Sequence, residues 1–287
     1  MALNWKKRAK GEGEMSFLEH LEELRWHIIR SIIAIVVLMV LAFLFKNLIF
    51  DTIILAPKEP SFITNRFLCS ISEKICINQE HVNLISIKMS GQITTHIIVA
   101  LVAGLILAFP VILFEFWRFL KPALHPNEAK HARGAVLISS FLFFLGVLFG
   151  YFLLAPLSIH FLSTYQISED VVNQINVRSY IGTITSICLA TGIIFELPVI
   201  AFFLTRIGII TPAFMRKYRK HSIVVIVILA AIITPPDVFS QLLVCIPLLL
   251  LYEVSIYVSA AVMRRREREH NEFMNKNVSD NRSSSTS

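Results

Sequence analysis

The sequence predicts an all-α polytopic membrane protein with six spanning helices. Three observations predict it. Hydrophobic residues make up 55% of the 287 and charged ones 16%, against about 25% charged in a soluble domain; mean hydropathy is +0.66. The apolar residues gather into long runs, most of them near the roughly twenty residues that carry a helix across a bilayer. Lys and Arg are segregated into alternate connecting segments, as the positive-inside rule requires. That segregation accounts for the net charge of +7, so no nucleic-acid partner is expected.

Residues 1–16 carry Lys6, Lys7, Arg8 and Lys10 ahead of Gly11 and Gly13, and read as a mobile, solvated N-terminus. Phe17, Leu18, Leu21 and Leu24 then recur at helical spacing, with Glu19, Glu22 and Glu23 on the other side, so 17–30 reads as an amphipathic helix. It leads into span one, 31–50. This run follows a basic start, as a secretory signal would, but it has the length of a span and no small-x-small site at its end, so it reads as retained. Residues 51–88 form a long polar loop in which Pro57 and Pro60 rule out one regular helix. Span two, 89–116, contains Pro110, which removes a backbone donor and predicts a kink.

A short loop, 117–133, precedes span three, 134–154. A second polar loop, 156–178, follows Pro156, and span four covers 179–204. The segment 205–221 is strongly basic. Span five, 222–234, has about thirteen residues, or roughly 20 Å against a hydrocarbon thickness of about 30 Å. Polar extension of the helix, a thinned bilayer or cover by neighbouring protein would each make up the deficit. A sharp turn, Pro235-Pro236-Asp237, leads to span six, 238–262, which completes the membrane domain 17–262. Residues 263–287 begin Arg264-Arg265-Arg266, turn Ser-rich and read as a basic, then disordered tail.

Orientation follows from the cations. Segments 1–30, 117–133, 205–221 and 263–287 hold 21 of the 27 Lys and Arg. Both termini are therefore expected in the cytoplasm, with loops 51–88, 156–178 and 235–237 outside. Cys69 and Cys76 then lie in an oxidising compartment. A bridge between them would contribute roughly 2–3 kcal/mol; two free thiols are the alternative. Cys188 and Cys245 lie in apolar runs and are expected in the core.

No catalytic constellation stands out. G-x-S-x-G, H-E-x-x-H, a paired CxxC and the P-loop pattern are all missing from the sequence, and the nine His are scattered. The protein is not expected to be an enzyme or to need a cofactor or metal. Glu196 is the sharpest single residue. A carboxylate in mid-span costs at least about 3 kcal/mol, so it should face other helices or a wet cavity. A proton relay, a polar contact with a partner helix and a capped role beside Pro198 are its open readings; the relay would suit a self-sufficient solute transporter. Glu115 and Glu253 sit near expected membrane boundaries, where they can snorkel, and are assigned no role. On the cytoplasmic side positive charge predominates, and the Glu19–Glu23 cluster, Glu128 and the tail acids stand against it. Separated carboxylates on such a surface suit a guanidinium partner, held by charge-assisted pairs. A local Glu22–Arg25 bridge is the competing reading.

Several stretches together resemble the TatC family, the multi-span receptor subunit of the twin-arginine protein translocase. They are His20-Leu21-Glu22-Glu23-Leu24-Arg25, Ala56-Pro57, Phe109-Pro110-Val111-Ile112-Leu113, Trp117-Arg118-Phe119 through Pro122-Ala123-Leu124 with Glu128, Phe195-Glu196-Leu197-Pro198, and Thr234-Pro235-Pro236-Asp237-Val238-Phe239-Ser240-Gln241. They occur in family order over roughly residues 17–262. The resemblance implies a concave six-helix bundle in the cytoplasmic membrane that binds twin-arginine signal peptides and, driven by the proton-motive force, helps move folded proteins. It implies single-span partners of the TatA and TatB type and self-association in the receptor complex. By the same resemblance Glu23, Arg25, Phe119 and Glu128 contact the signal peptide. Glu196 and Gln241 are intramembrane polar or partner contacts, and Pro57 and Asp237 belong to the outer cap and turn. The outer loop around 62–80 is enlarged, with the cysteine pair inside it.

Overall fold

The computed structural model describes residues 17–59, 61–71, 84–120, 132–166, 168, 173–233 and 238–284. Helix α1 runs from Phe17 to Leu44 and merges the amphipathic lead with most of span one. No Gly or Pro interrupts those residues, so nothing ends the helix at the expected boundary. The chain widens into a π-helical stretch, Leu48–Ile54, with Leu55 N–H bonded to Phe50 O at 2.9 Å. A 3-10 turn, Ala56–Lys58, follows, and it buries Pro57.

Part of the expected polar loop is helical: α2 spans Ile63–Ile71. It is pinned to the far side of the bundle. Phe62 stacks on Phe152 with centroids 5.7 Å apart, and the Thr64 hydroxyl donates to the Phe152 carbonyl. Asn65, fully buried, donates to Glu59 O at 2.9 Å. Cys69 is disulfide-bonded; Cys76, its expected partner, lies outside the described residues. The loop then contributes β1, Leu84–Ile85, which pairs in parallel with β2, Ile175–Asn176. This two-residue ladder is a small addition to a fold that is otherwise helical among the described residues, as expected. Two residues per strand are too few to leave a period-two pattern in the sequence.

Helix α3 spans Gly91–Leu120 and continues through Pro110. Helix α4, Ala132–Phe149, passes into a π-helical stretch, Gly150–Leu154, and then α5, Ala155–Thr164. The end expected at Pro156 is therefore corrected. Pro156 lies in the first turn of α5, directly after the π-helical stretch, whose wider turn lets the helix continue past a residue without an N–H. Span four divides into α6, Val177–Ile194, and α7, Leu197–Arg206. The break falls at Phe195-Glu196, with Pro198 in the first turn of α7. Helix α8, Pro212–Lys217, is capped by Thr211, whose side chain accepts from Phe214 N–H at 3.2 Å. Helix α9 covers Arg219–Ile233. Its 15 residues give roughly 22 Å, still short of the hydrocarbon thickness.

Helix α10 runs from Val238 to Ser284. The disordered tail is thereby corrected for 264–284. That stretch has no Gly or Pro and is rich in Arg, Asn and Glu. It extends a helix already nucleated in the membrane domain, so it avoids the cost of starting one. Among the described residues five segments are long and apolar enough to span a membrane: Leu21–Leu44, Gly91–Phe119, Gly134–Thr164, Val177–Arg206 and Val244–Arg268. The chain is a multi-pass membrane protein.

Helices α1 and α3 pack closely. A Cβ added at Gly104 would lie 2.6 Å from Met39 N and 2.8 Å from Met39 Cα, so only glycine permits this approach. The opposite face of α1 exposes Ile32, Ile33, Val36, Val37 and Val40. Hydrocarbon solvates such a face without penalty, so it needs no protein cover. Toward the other side of the bundle, Val99, Ile159, Ile181 and Ile184 form one core cluster with Cys188; Ile187, Ile226, Val244 and Leu248 form another with Cys245. Both cysteines are buried and free.

Gly104→Ala is expected to destabilise the protein by about 1–3 kcal/mol through overpacking. Gly182→Ala, whose added Cβ meets nothing within 4 Å, is expected to leave stability unchanged or slightly raised. Thermal unfolding in detergent, followed by circular dichroism, distinguishes the two.

Candidate functional site

Two polar centres interrupt the apolar bundle. The first lies where α1 begins and α3 ends. Helical spacing sets Glu23 and His27 on one face of α1, one turn apart. Glu23 Oε1 is 4.0 Å from His27 Nε2. The other ring nitrogen, Nδ1, lies 2.5 Å from Glu115 Oε2 on α3. His27 is 5% exposed and Glu115 7%, so this contact is made away from bulk solvent. Arg30, one turn along α1, brings Nη1 to 3.6 Å from the same carboxylate oxygen. Phe119, one turn beyond Glu115, meets the His27 ring edge to face at 6.1 Å.

Glu115 was expected to snorkel at a boundary. The structure corrects this: it is buried and partnered across two helices. Leaving a carboxylate unpaired here would cost several kcal/mol, and His27 with Arg30 supplies the compensation. A ring carrying its proton on Nδ1 satisfies Glu115; an imidazolium would also present a proton toward Glu23. Arg25, two residues beyond Glu23, is exposed. Among the described residues it forms no ion pair with Glu22, so the competing local bridge does not form. Of the four expected signal-contacting residues, the structure brings Glu23 and Phe119 against one imidazole and sets Arg25 on the neighbouring surface; Glu128 lies outside the described residues.

The second centre is Glu196, at the break between α6 and α7. Glu196 is 7% exposed. Its backbone carbonyl accepts from Val199 and Ile200 N–H, each at 2.9 Å. Its side chain caps no helix. Instead Ser139 of α4, itself fully buried, donates its hydroxyl to Glu196 Oε2. Glu196 Oε1 is buried and has no hydrogen-bond donor among the described residues. The capped reading beside Pro198 is thus corrected. Phe195 and the stacked pair Phe109–Phe143, 3.5 Å between centroids, wall this region. Gln241, expected at a partner contact, turns toward its own chain and donates to Val227 O at 3.3 Å. Asp237 lies outside the described residues.

His27, Glu115, Arg30 and Ser139 were not anticipated. The one signal available for the first two was a carboxylate at the end of an apolar run, which demands a counterpart on another span. A further unanticipated contact joins Arg219 of α9 to Glu253 of α10 at 2.7 Å. Among the described residues no cluster of three His, Cys, Asp or Glu could hold a metal ion.

Fold and centres together define a multi-pass helical membrane protein whose buried carboxylates sit at a helix pair and a helix break. A family model described as Sec-independent protein translocase protein (TatC) matches residues 19–247. The TatC of Blattabacterium from Periplaneta americana is 40% identical over 89% of this chain and 98% of its own length. That of Aquifex aeolicus is 36% identical over 88% and 98%. A crystal structure of the twin-arginine translocase receptor TatC superposes with a TM-score of 0.64 at 35% identity, covering 85% of this chain and all of that one. A second, in the detergent DDM, gives 0.67 at 36%. The chain belongs to the TatC family.

Ser139→Ala would strand both Glu196 oxygens in the interior and is expected to cost about 1–3 kcal/mol. Adding Glu196→Leu should return most of that loss, since an apolar residue of similar size replaces a buried charge. A thermal-unfolding mutant cycle in detergent measures the coupling.

Proposed function

We propose that this chain is the receptor subunit of a twin-arginine protein translocase, binding signal peptides of folded cargo at its cytoplasmic face. It sits in the cytoplasmic membrane as a concave bundle of six spans, with α9 as the short fifth and both termini inside. Family membership supports the translocase role, and the Lys and Arg distribution supports the orientation. One observation carries the receptor reading. Glu23 of α1 and Phe119 of α3, far apart in sequence, both lie against His27.

A carboxylate beside an aromatic ring suits an arginine. The guanidinium donates two parallel N–H bonds to the carboxylate on one side and stacks its plane on the ring on the other. Glu128, in the segment after α3, supplies the second carboxylate for the second arginine. Single-span partners of the TatA and TatB type approach Glu196, whose Oε1 offers a free acceptor to a polar side chain on their helix, with Gln241 and the Asp237 turn nearby in the receptor complex. Chains self-associate there, and the proton-motive force drives passage of the cargo.

Photo-cross-linking of a twin-arginine signal peptide to membranes containing the full chain tests this. Glu23→Ala and Glu128→Ala are each expected to abolish the cross-link while the protein still inserts; normal cross-linking in both contradicts the assignment. Glu196→Ala should weaken co-purification of the small partners and leave signal binding nearly intact.

A further inference from the structure

We infer that His27 and Glu115 are positioning residues for arginine recognition, fixing the register of α1 against α3 so that Glu23 and Phe119 face the same incoming guanidinium. The inference rests on the receptor reading above and extends it to residues that do not touch the peptide.

Consider what holds Glu23 in place. Its helix lies against α3 but exposes a broad apolar face on the other side. Apolar packing along such a pair is smooth: one side-chain layer can slide past the next at small cost, since lipid and Leu are equally apolar. The tight Gly104–Met39 approach sets the separation of the two helices midway along them. It lies about ten residues, or roughly 15 Å, from Glu115. It therefore controls rotation at the recognition end poorly.

The His27–Glu115 contact is directional where the packing is not. One nitrogen meets one carboxylate oxygen at 2.5 Å, with both side chains buried. A rotation of α1 that breaks it also displaces Arg30, which is on the same helix and brings Nη1 to 3.6 Å from that carboxylate, so the buried Glu115 loses the geometry of both partners. The penalty for that makes the register unique. The same imidazole carries the information outward. Its other nitrogen faces Glu23 Oε1 at 4.0 Å, and its ring edge contacts Phe119 at 6.1 Å. One rigid ring thus contacts three groups, two of them on α3, so the carboxylate and the aromatic ring cannot move independently.

The test uses the full chain in membranes and a photo-cross-linkable synthetic twin-arginine signal peptide, titrated to an apparent affinity. His27→Phe keeps the ring's bulk and its contact with Phe119 but removes both nitrogens. It is expected to weaken binding by about tenfold or more. His27→Asn loses bulk but retains an N–H where Nδ1 stands, and should return binding to within about threefold of wild type. Plain packing predicts the reverse order, with Phe binding normally and Asn poorly; that result overturns the inference, as does normal binding by both variants. Should His27→Phe not accumulate in membranes, His27→Phe with Glu115→Gln removes the stranded charge and is measured in its place, with the same loss expected. If wild type binds and Glu23→Ala does not, yet the His27 variants bind normally, positioning fails while the receptor reading stands. If wild type itself does not cross-link, both fail.

Discussion

Hydrocarbon offers no hydrogen bonds, and every polar group carried into it must find a partner in protein. Among the described residues two carboxylates, Glu115 and Glu196, are buried in the helical bundle, and the positions of five helices, α1, α3, α4, α6 and α7, follow from how they are accommodated. Glu115 is answered by His27 and Arg30, which ties α3 to α1. Glu196 is answered by Ser139, which ties the α6–α7 break to α4. In each case one oxygen is matched within the chain. The difference lies in what is left over. Glu115 Oε2 meets two side chains, His27 and Arg30; Glu196 keeps an oxygen with no donor among the described residues.

That difference separates a structural carboxylate from one that is available. A fully compensated buried charge resists change, because removing either partner strands the other. A half-satisfied one is poised to gain a bond when another polar group arrives. The backbone around Glu196 permits this. The chain turns at Phe195-Glu196, and the Glu196 carbonyl serves two N–H groups of α7. The break therefore loses little hydrogen bonding while it frees the side chain from the helical ladder.

The far side of the molecule is organised by aromatic stacking and backbone pairing rather than by charge. Tyr151 and Tyr180 donate to the carbonyls of Ile53 and Ile54, at 2.6 and 3.1 Å. Phe62 packs on Tyr151 and Phe152. These contacts anchor the long segment between α1 and α3 onto the π-helical stretch after α4. The extra residue per turn there tilts the ring-bearing residues Tyr151 and Phe152 toward Phe62 and Thr64, a common use of π-bulges.

The sequence by itself determined the apolar runs, the segregation of cations and the presence of a carboxylate in mid-span, since each is a property of consecutive residues. The shortness of the apolar run that becomes α9 was legible for the same reason. The helix ends were less so: Pro156 reads as a stop, yet the π-helical stretch before it carries the chain on into α5. The tail's serines suggested disorder, although helix-compatible residues without Gly or Pro extend α10 to Ser284. Only the tertiary structure decided which polar groups meet. His27 and Glu115 lie 88 positions apart, and Ser139 is an ordinary serine in an apolar helix until α6 breaks beside it. No local pattern records such pairs, because they form through the antiparallel packing of helices, which sets depth and rotation together.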